Sequence, residues 1–239
     1  KLLSAVTINP GVEDLTGAKL AARLVGPDGQ GGKLAPCGSF DGTNRLDFAL
    51  DLPTTPATAV DLQYRVWPDA RVDVTLTYDP VAELGDMPEF GFTFKMDADC
   101  NRVRFYGLGP DENYCDRHEG ARLGIWETTV SDNLTRYLKP QECGNRTGVR
   151  WAEVTNAKGR GLRFSGNAME FSALPHSPHE LEYAMHMDEL PPVFYTYVKC
   201  ALKQMGVAGD DSWGARTHEE YLLDVSAPME FCFSIEGIV

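Results

Sequence analysis

Apolar and polar residues alternate along most of this chain. The alternation is persistent from residue 46 onward, and most runs end near Pro, Gly or Asp. A period of two residues is typical of a β-strand with one buried face. Because the runs succeed one another without a long helical pattern between them, they predict an all-β protein whose antiparallel sheets stack as a sandwich. The runs cover residues 46–50, 60–66, 72–78, 90–96, 169–173, 193–202, 221–225 and 229–235.

One short segment departs from this pattern and predicts a helix. Ser177 is a good N-cap residue, Pro178 suits the first helical turn, and Glu180 can complete a capping box. We therefore expect one or two helical turns after Ser177.

The N-terminal part of the chain is less informative. The first 40 residues carry a loose β pattern with a strong turn signal at residues 26–32. Residues 52–59, rich in Pro and Thr, are the one candidate domain boundary. They could equally form a long turn between two strands.

The net negative charge of the chain argues against some classes of binding partner. Its 239 residues include 35 acidic and 22 basic side chains, which gives a formal net charge of -13. Such a surface repels nucleic acid and an anionic membrane surface alike. No apolar window is long enough to span a bilayer, and the first residues lack the apolar core of a signal peptide. We therefore expect a soluble protein without a nucleic-acid or membrane partner.

The cysteines and histidines show no metal-binding spacing. The six cysteines include no Cys-x-x-Cys pair, which argues against a zinc knot and a redox motif. Cys200 and Cys232 lie within apolar runs, where a buried free thiol is the expectation. The five histidines lack the spacing of a helical zinc site. We therefore predict no metal site in this chain, and the cysteine usage favours a cytoplasmic location.

A flexible acidic loop at residues 205–213 ends in a large aromatic residue. Gly206 and Gly209 allow positive φ angles or a close approach of the backbone. Trp213 could offer an apolar platform to a sugar ring, with its indole N–H free to donate a hydrogen bond. It could instead fold back and fill the end of the sheet core, and composition alone favours this core position.

A second polar turn, at residues 107–117, follows an apolar run. Its Gly-x-Gly is not followed by a helix, so the context excludes a dinucleotide-binding motif. Glu112 and Asn113 are expected to satisfy backbone groups of the turn. Asp116 and Arg117 are expected to form an ion pair of the same structural kind.

Together the two turns resemble a known family. The stretches Tyr-Gly-Leu-Gly-Pro-Asp-Glu-Asn-Tyr-Cys-Asp-Arg at 106–117 and Gly-Val-Ala-Gly-Asp-Asp-Ser-Trp at 206–213 resemble the C-terminal domain of the large β-galactosidases of glycoside hydrolase family 2. The resemblance implies an antiparallel β-supersandwich, similar to galactose mutarotases, over residues 45–239. Residues 1–44 would belong to the same sandwich or to a preceding immunoglobulin-like domain.

The resemblance also implies roles for the two turns. In that family a central barrel supplies both catalytic carboxylates, and the C-terminal domain lends a loop whose Trp stacks on the sugar. This reverses the preference for Trp213 and implies a substrate-binding loop of Asp210, Asp211, Ser212 and Trp213. Ala208 stands where the family tends to have Gly, which restricts the turn. The other stretch supplies a structural motif made of Gly107, Gly109, Pro110, Glu112, Asn113, Tyr114, Asp116 and Arg117.

No catalytic residue is expected in this chain. A retaining glycosidase needs two carboxylates about 5 Å apart, and the Asn-Glu dipeptide that carries the family's acid/base does not occur here. The resemblance therefore implies a non-catalytic part of an enzyme that hydrolyses terminal β-D-galactosyl residues of lactose-type substrates. Its partners would be a β-galactoside and a catalytic barrel, in the same chain or in a large subunit. The complete enzyme would be an oligomer that uses Mg and Na bound outside this segment.

Two alternatives to that function remain open. The chain could be a free-standing carbohydrate-binding or mutarotase-like protein of the same fold. It could also be the small structural subunit of a two-chain β-galactosidase.

Overall fold

The computed structural model describes residues 6–7, 19–25, 44–52 and 54–239. Within these ranges every pairing between strands is antiparallel. The strands are β1 (Val6–Thr7), β2 (Lys19–Val25), β3 (Asn44–Leu52), β4 (Thr58–Val66), β5 (Val72–Tyr78), β6 (Glu89–Asp97), β7 (Arg102–Gly109), β8 (Arg122–Thr129), β9 (Arg146–Thr155), β10 (Gly161–Leu174), β11 (Tyr195–Gln204) and β12 (Met229–Ile238). A single α-helix in the described ranges, α1 (Pro178–Tyr183), accompanies them, with short 3-10 turns at Ala82–Leu84, Met187–Glu189 and Glu219–Tyr221.

The described strands form one branched sheet that folds over on itself as a sandwich. The main path follows the order β1-β6-β11-β10-β12-β5-β4-β3-β2, and β9, β7 and β8 branch from β10 in that order. The prediction of an all-β antiparallel sandwich with one short helix is confirmed.

Strand β10 is the strand that the two parts of the sandwich share. Its residues 161–166 pair with β12, whereas its residues 170–174 pair with β11. Strand β9 lies along the opposite edge, with a register shift between Ser165 and Met169. Ala168 has a positive φ of 54° at this shift. The irregularity bends the strand, as a bulge does, and lets it change neighbours.

The core lies between the sheet faces and is filled by alternate residues of the strands. Val74, Leu76, Phe92, Phe164 and Phe171 are almost completely buried within it. Removal of these side chains from water is the main favourable contribution to folding, at roughly 25 cal/mol per Å² of apolar surface. All the predicted runs except 221–225 overlap a strand, because each presents one apolar face to this core.

The candidate boundary at residues 52–59 falls where β3 and β4 pair with each other. The pairing runs from Asn44 opposite Val66 to Leu52 opposite Thr58 without interruption. Leu52 and Thr58, in the described part of this segment, are thus the paired ends of two adjacent strands.

The helix α1 begins as the sequence predicts. The Ser177 hydroxyl accepts a hydrogen bond from the Glu180 N–H at 3.1 Å. The Glu180 carboxylate accepts one from the Ser177 N–H at 2.7 Å. This reciprocal capping box satisfies two N–H groups that a short helix cannot satisfy internally.

Two predictions about local structure are wrong. Residues 221–225 form no strand, since the Tyr221 carbonyl accepts from Gly206 N–H and the Leu222 carbonyl accepts from Lys203 Nζ, so neither is available to a sheet. Cys232 is exposed, because it alternates on β12 with the buried residues Phe231 and Phe233. The buried free thiol predicted for Cys200 is confirmed.

The N-terminal part contributes strands to the same sheet. Strand β1 pairs with β6, and β2 pairs with β3 over seven residue pairs from Lys19–Asp51 to Val25–Arg45. The predicted turn at residues 26–32 lies outside the described residues. No helix in the described part of the chain has the length and apolar character needed to cross a membrane.

Candidate functional site

The acidic loop predicted around residues 205–213 extends to residue 218 and is tied together at its base. We call residues 206–218 the Trp loop. The Gly206 N–H donates to the Tyr221 carbonyl at 3.0 Å, and the Thr217 hydroxyl donates to the Gly206 carbonyl at 2.7 Å. Because Gly206 contacts both Thr217 and Tyr221, the two ends of the loop lie next to each other.

The tip of the Trp loop presents Trp213 to solvent. The side chain is 93% exposed, so the position in the sheet core that composition favours is wrong. The Asp211 carboxylate accepts from the Trp213 N–H at 2.8 Å and from the Ala215 N–H at 3.1 Å. This Asx-type turn holds the backbone of the tip while the indole itself stays free.

The three acidic or hydroxyl residues before Trp213 are also exposed. Asp210 uses one carboxylate oxygen to bind His218, with 2.5 Å between Oδ2 and Nε2. Asp211 uses one oxygen for the turn described above. Ser212 lies exposed beside them. Asp210 and Asp211 thus hold the loop with one oxygen each and leave the other oxygen of each carboxylate outside these contacts.

The second motif, which we call the Gly-Pro turn (residues 107–117), is a partly buried junction between strands. The Asn113 amide donates to the carbonyls of Leu108 and Asp111, both at 3.0 Å. Its side-chain oxygen accepts from the Thr147 N–H at 2.9 Å and from the Thr147 hydroxyl at 2.6 Å. Asn113 therefore connects the turn to β9.

Glu112 is the most heavily hydrogen-bonded carboxylate of this turn. It accepts from the Gly144 N–H at 2.6 Å, the Thr135 hydroxyl at 2.8 Å, the Arg117 guanidinium at 2.7 Å and the Tyr137 hydroxyl. Burial alone raises the pKa of Glu112, but these donors outweigh burial, and the pKa lies below its ordinary value.

Close packing explains the other residues of the turn. A Cβ atom added to Gly107 would lie 2.7 Å from Val149, and one added to Gly109 would lie 2.7 Å from the Trp126 ring. The Pro110 carbonyl accepts from Arg146 Nε at 3.0 Å. Tyr114 is 1% exposed. Larger residues at the two glycines would therefore push the strands apart.

The expected ion pair between Asp116 and Arg117 is wrong. Arg117 pairs with Glu112, while Asp116 turns the other way and accepts from the Ala208 N–H at 2.8 Å. Adjacent side chains on a turn point in different directions, so each finds its own partner. Asp116 thereby links the Gly-Pro turn to the Trp loop across 92 positions of sequence.

The contact at Asp116 explains two features of the Trp loop. The Cα atom of Gly206 lies so close that an added Cβ would overlap the Asp116 carboxylate. Ala208, which donates to that carboxylate, has a positive φ of 54°, a left-handed conformation that favours Gly. The departure from Gly at this position thus leaves the turn possible but strained.

A cavity of about 720 Å³ lies between the two motifs. Gly206 and Arg216 border it from the Trp loop, and Tyr114 and Arg117 border it from the Gly-Pro turn. Its volume falls within the range of small-molecule sites. No three His, Cys, Asp or Glu side chains in the described ranges converge as a metal site would require.

Lys199 forms a buried charged cluster beside this cavity. Its ammonium group lies 2.8 Å from Glu89, 3.1 Å from Glu142 and 3.0 Å from Gln204, and Glu142 and Gln204 border the cavity. Burial lowers the pKa of Lys199, but the two carboxylates outweigh burial and the pKa lies above its ordinary value. The residue therefore stays charged.

Sequence comparison relates the chain to several known proteins. A family model described as "Beta galactosidase small chain" matches residues 33–235. A beta-galactosidase from Halalkalibacterium halodurans is 44% identical over 80% of this chain and 19% of its own length. One from Streptococcus thermophilus is 38% identical over 83% and 20%. A beta-galactosidase small subunit from Latilactobacillus sakei is 32% identical over 76% of this chain and 60% of its own length.

The chain covers only part of the length of each of these relatives. The chain spans about a fifth of the length of the long curated relatives, 19% and 20% for the two above. The share is larger for the small subunit.

Proposed function

Because this chain belongs to the beta galactosidase small chain family, we propose that it is the non-catalytic part of a β-galactosidase that hydrolyses terminal β-D-galactosyl residues. Its task is to present Trp213 to a β-galactoside, such as lactose, that is held by a catalytic barrel elsewhere. The observation that carries this proposal is the 93% exposure of Trp213 at the tip of a loop whose backbone is held by hydrogen bonds at base and tip.

An exposed indole held in this way is suited to a sugar. Its flat apolar face can cover the C–H face of a ring, and its N–H can donate to a hydroxyl. Burial of such a large side chain in a partner would also recover the cost of its exposure in the free chain. Asp210, Asp211 and Ser212 lie next to it and supply hydroxyl-binding groups at the rim.

The chemistry belongs to residues outside this chain. The long relatives have most of their length beyond the matched segment, which leaves ample room for a catalytic barrel. That barrel lies in the same polypeptide or in a large subunit, and the similarity to a small subunit supports the second arrangement. The supersandwich class, the assignment to glycoside hydrolase family 2, the Mg and Na requirement, the oligomeric complete enzyme and the cytoplasmic location are parts of the same proposal.

Kinetics of Trp213 variants test the proposal. In the complete β-galactosidase, Trp213→Ala should raise KM for a galactoside by about three- to tenfold, with a smaller effect on kcat, because an aromatic contact is worth about 0.5–1.5 kcal/mol beyond its area. Trp213→Phe keeps a ring and should give a smaller rise.

Two controls accompany this experiment. Tyr183 is another exposed aromatic residue, 65% exposed and outside the Trp loop, and Tyr183→Ala should leave KM unchanged. Residues 1–239 alone should not hydrolyse a chromogenic galactoside. An unchanged KM for Trp213→Ala, or turnover by residues 1–239 alone, would contradict the proposal.

A further inference from the structure

The position of Trp213 depends on the backbone of its loop. With its side chain 93% exposed, the indole has little packing to orient it. The hydrogen bonds that hold the segment around it therefore set the place from which the indole projects. Asp211 holds the residues next to it, and the base of the loop is held at Gly206.

One contact closes the segment between tip and base. His218 Nε2 lies 2.5 Å from the Asp210 carboxylate, so this pair encloses residues 211–217, which include Trp213. Both side chains are 56% exposed, and neither contributes to the sheet core. The contact therefore acts on the shape of the loop.

We propose that His218 is a positioning residue for Trp213, because its bond to Asp210 holds the loop in the shape that presents the indole to the sugar. The inference rests on the proposed function for its effect on substrate, but the effect on the loop can be measured separately.

The charges around His218 make this contact sensitive to pH. Three carboxylates act on the imidazole, those of Asp210, Glu220 and Asp116, and the Tyr221 ring lies 6.4 Å from it between centroids. The hydrogen bond to Asp210, followed by the negative charge of Asp210, raises the pKa of His218 above its ordinary value. Each of these interactions favours the protonated ring.

The sign of the pH effect follows from this direction. Since the pKa is raised in the closed loop, the contact is strongest below the ordinary His pKa of about 6.5 and weakens as the pH rises through the raised value. The neutral ring can still donate one hydrogen bond, so the loop loosens without losing the contact altogether. Trp213 should thus be held most firmly in mildly acidic solution.

Fluorine NMR of the full chain labelled with fluorotryptophan tests the effect on the loop. The chain has four tryptophans, and Trp213→Phe identifies the Trp213 resonance. We expect this resonance to shift with pH through the titration of His218, and His218→Gln, which keeps a donor but cannot titrate, should abolish the shift. His186→Ala is the matched control, because His186 is also an exposed histidine paired with a carboxylate, Glu189. The proposal would be overturned if the chemical shift of Trp213 does not change with pH, or if it still titrates in His218→Gln.

Kinetics of the complete enzyme test the effect on substrate. His218→Ala should raise KM by about two- to fivefold, as expected for an exposed ion pair, with kcat changed less. His218→Gln should recover most of this loss and flatten the rise of KM with pH. If Trp213→Ala raises KM and His218→Ala does not, His218 is not a positioning residue. If the Trp213 resonance follows His218 but Trp213→Ala leaves KM unchanged, the control of the loop is supported and the proposed sugar role fails.

Discussion

The Trp loop and the Gly-Pro turn are both polar turns with glycines, yet the protein holds them in opposite ways. In the Gly-Pro turn, Asn113 is 2% exposed and Tyr114 1% exposed, and Glu112 accepts from four different residues. In the Trp loop, Trp213 is almost wholly exposed and its tip depends on a few contacts. Similar local sequences therefore serve different purposes, one as a support and the other as a presenting surface.

Stability and binding capacity are therefore concentrated in different regions of the molecule. Glu112 and Asn113 of the Gly-Pro turn use their side-chain polar atoms in contacts within the protein, so these two residues have little hydrogen-bonding capacity left for a ligand. The Trp loop leaves its largest apolar surface in water, which is unfavourable unless a ligand or partner covers it. Asp116 joins the two, so the rigid motif sets the base of the adaptable one.

The largest effect on stability should come from a change in the Gly-Pro turn. Glu112→Gln replaces an acceptor of four hydrogen bonds by an amide whose NH₂ group faces donors, and should lower the free energy of unfolding by about 2–4 kcal/mol. Urea unfolding measures this loss. Glu127→Gln is the control, since Glu127 pairs with Arg104 at 3.4 Å and its side chain is 78% exposed, and should cost well under about 1 kcal/mol.

The loss at Glu112 should also depend on pH. Because the pKa of Glu112 is lower in the folded chain, its stabilisation is fully present above about pH 4.5 and is lost as the pH falls through the folded value. The gap between Glu112→Gln and the parent chain should therefore shrink in acid. Equal losses for Glu112→Gln and Glu127→Gln at neutral pH would show that Glu112 does not support the Gly-Pro turn.

An intermediate effect on stability should come from the contact between Gly206 and Asp116, where the two regions meet. Gly206→Ala would push its methyl group into the Asp116 carboxylate, and we expect a loss of about 1–3 kcal/mol together with a raised KM in the complete enzyme. Gly237→Ala adds the same methyl group on β12 with no neighbour within 4 Å and should change neither quantity. If Gly206→Ala is as stable as Gly237→Ala, the contact between Gly206 and Asp116 can adjust to a larger residue.

The smallest effect should come from relief of strain in the loop. Ala208→Gly removes the Cβ from a residue with φ of 54° and should stabilise the chain by up to about 1 kcal/mol, since left-handed backbone costs roughly 1–2 kcal/mol for a residue with a Cβ. Thermal unfolding measures the gain. Ala215→Gly, in the same loop, should bring no gain, because Ala215 lacks a positive φ. Equal changes in stability for Ala208→Gly and Ala215→Gly would show that the backbone at Ala208 is not strained.

The sequence predicts the fold well because the pattern that indicates a strand lies within a few consecutive residues. The alternation on β5 and β6 and the capping box at Ser177 arise from neighbours within a few residues. The segment 221–225 misleads for the opposite reason, since its apolar residues resemble a strand while distant groups, Gly206 and Lys203, occupy its carbonyls.

The candidate site is less predictable because its contacts are not local. Nothing near Asp116 indicates that its partner is Ala208, and the eight-residue spacing of Asp210 and His218 follows no regular period. Composition placed Trp213 in the core, and only the resemblance placed it outside. Contacts that close a loop through side chains leave no periodic signal in the sequence.

The double attachment at the base of the Trp loop has a practical consequence for engineering. Gly206, Ala208, Thr217 and Tyr221 take part in the contacts that hold the base of the loop. Residues 209–216 lie between these contacts. We expect the sandwich to keep its stability when this tip is replaced by loops of other lengths and chemistries. The sugar preference of the loop could then be changed without changes to the strands.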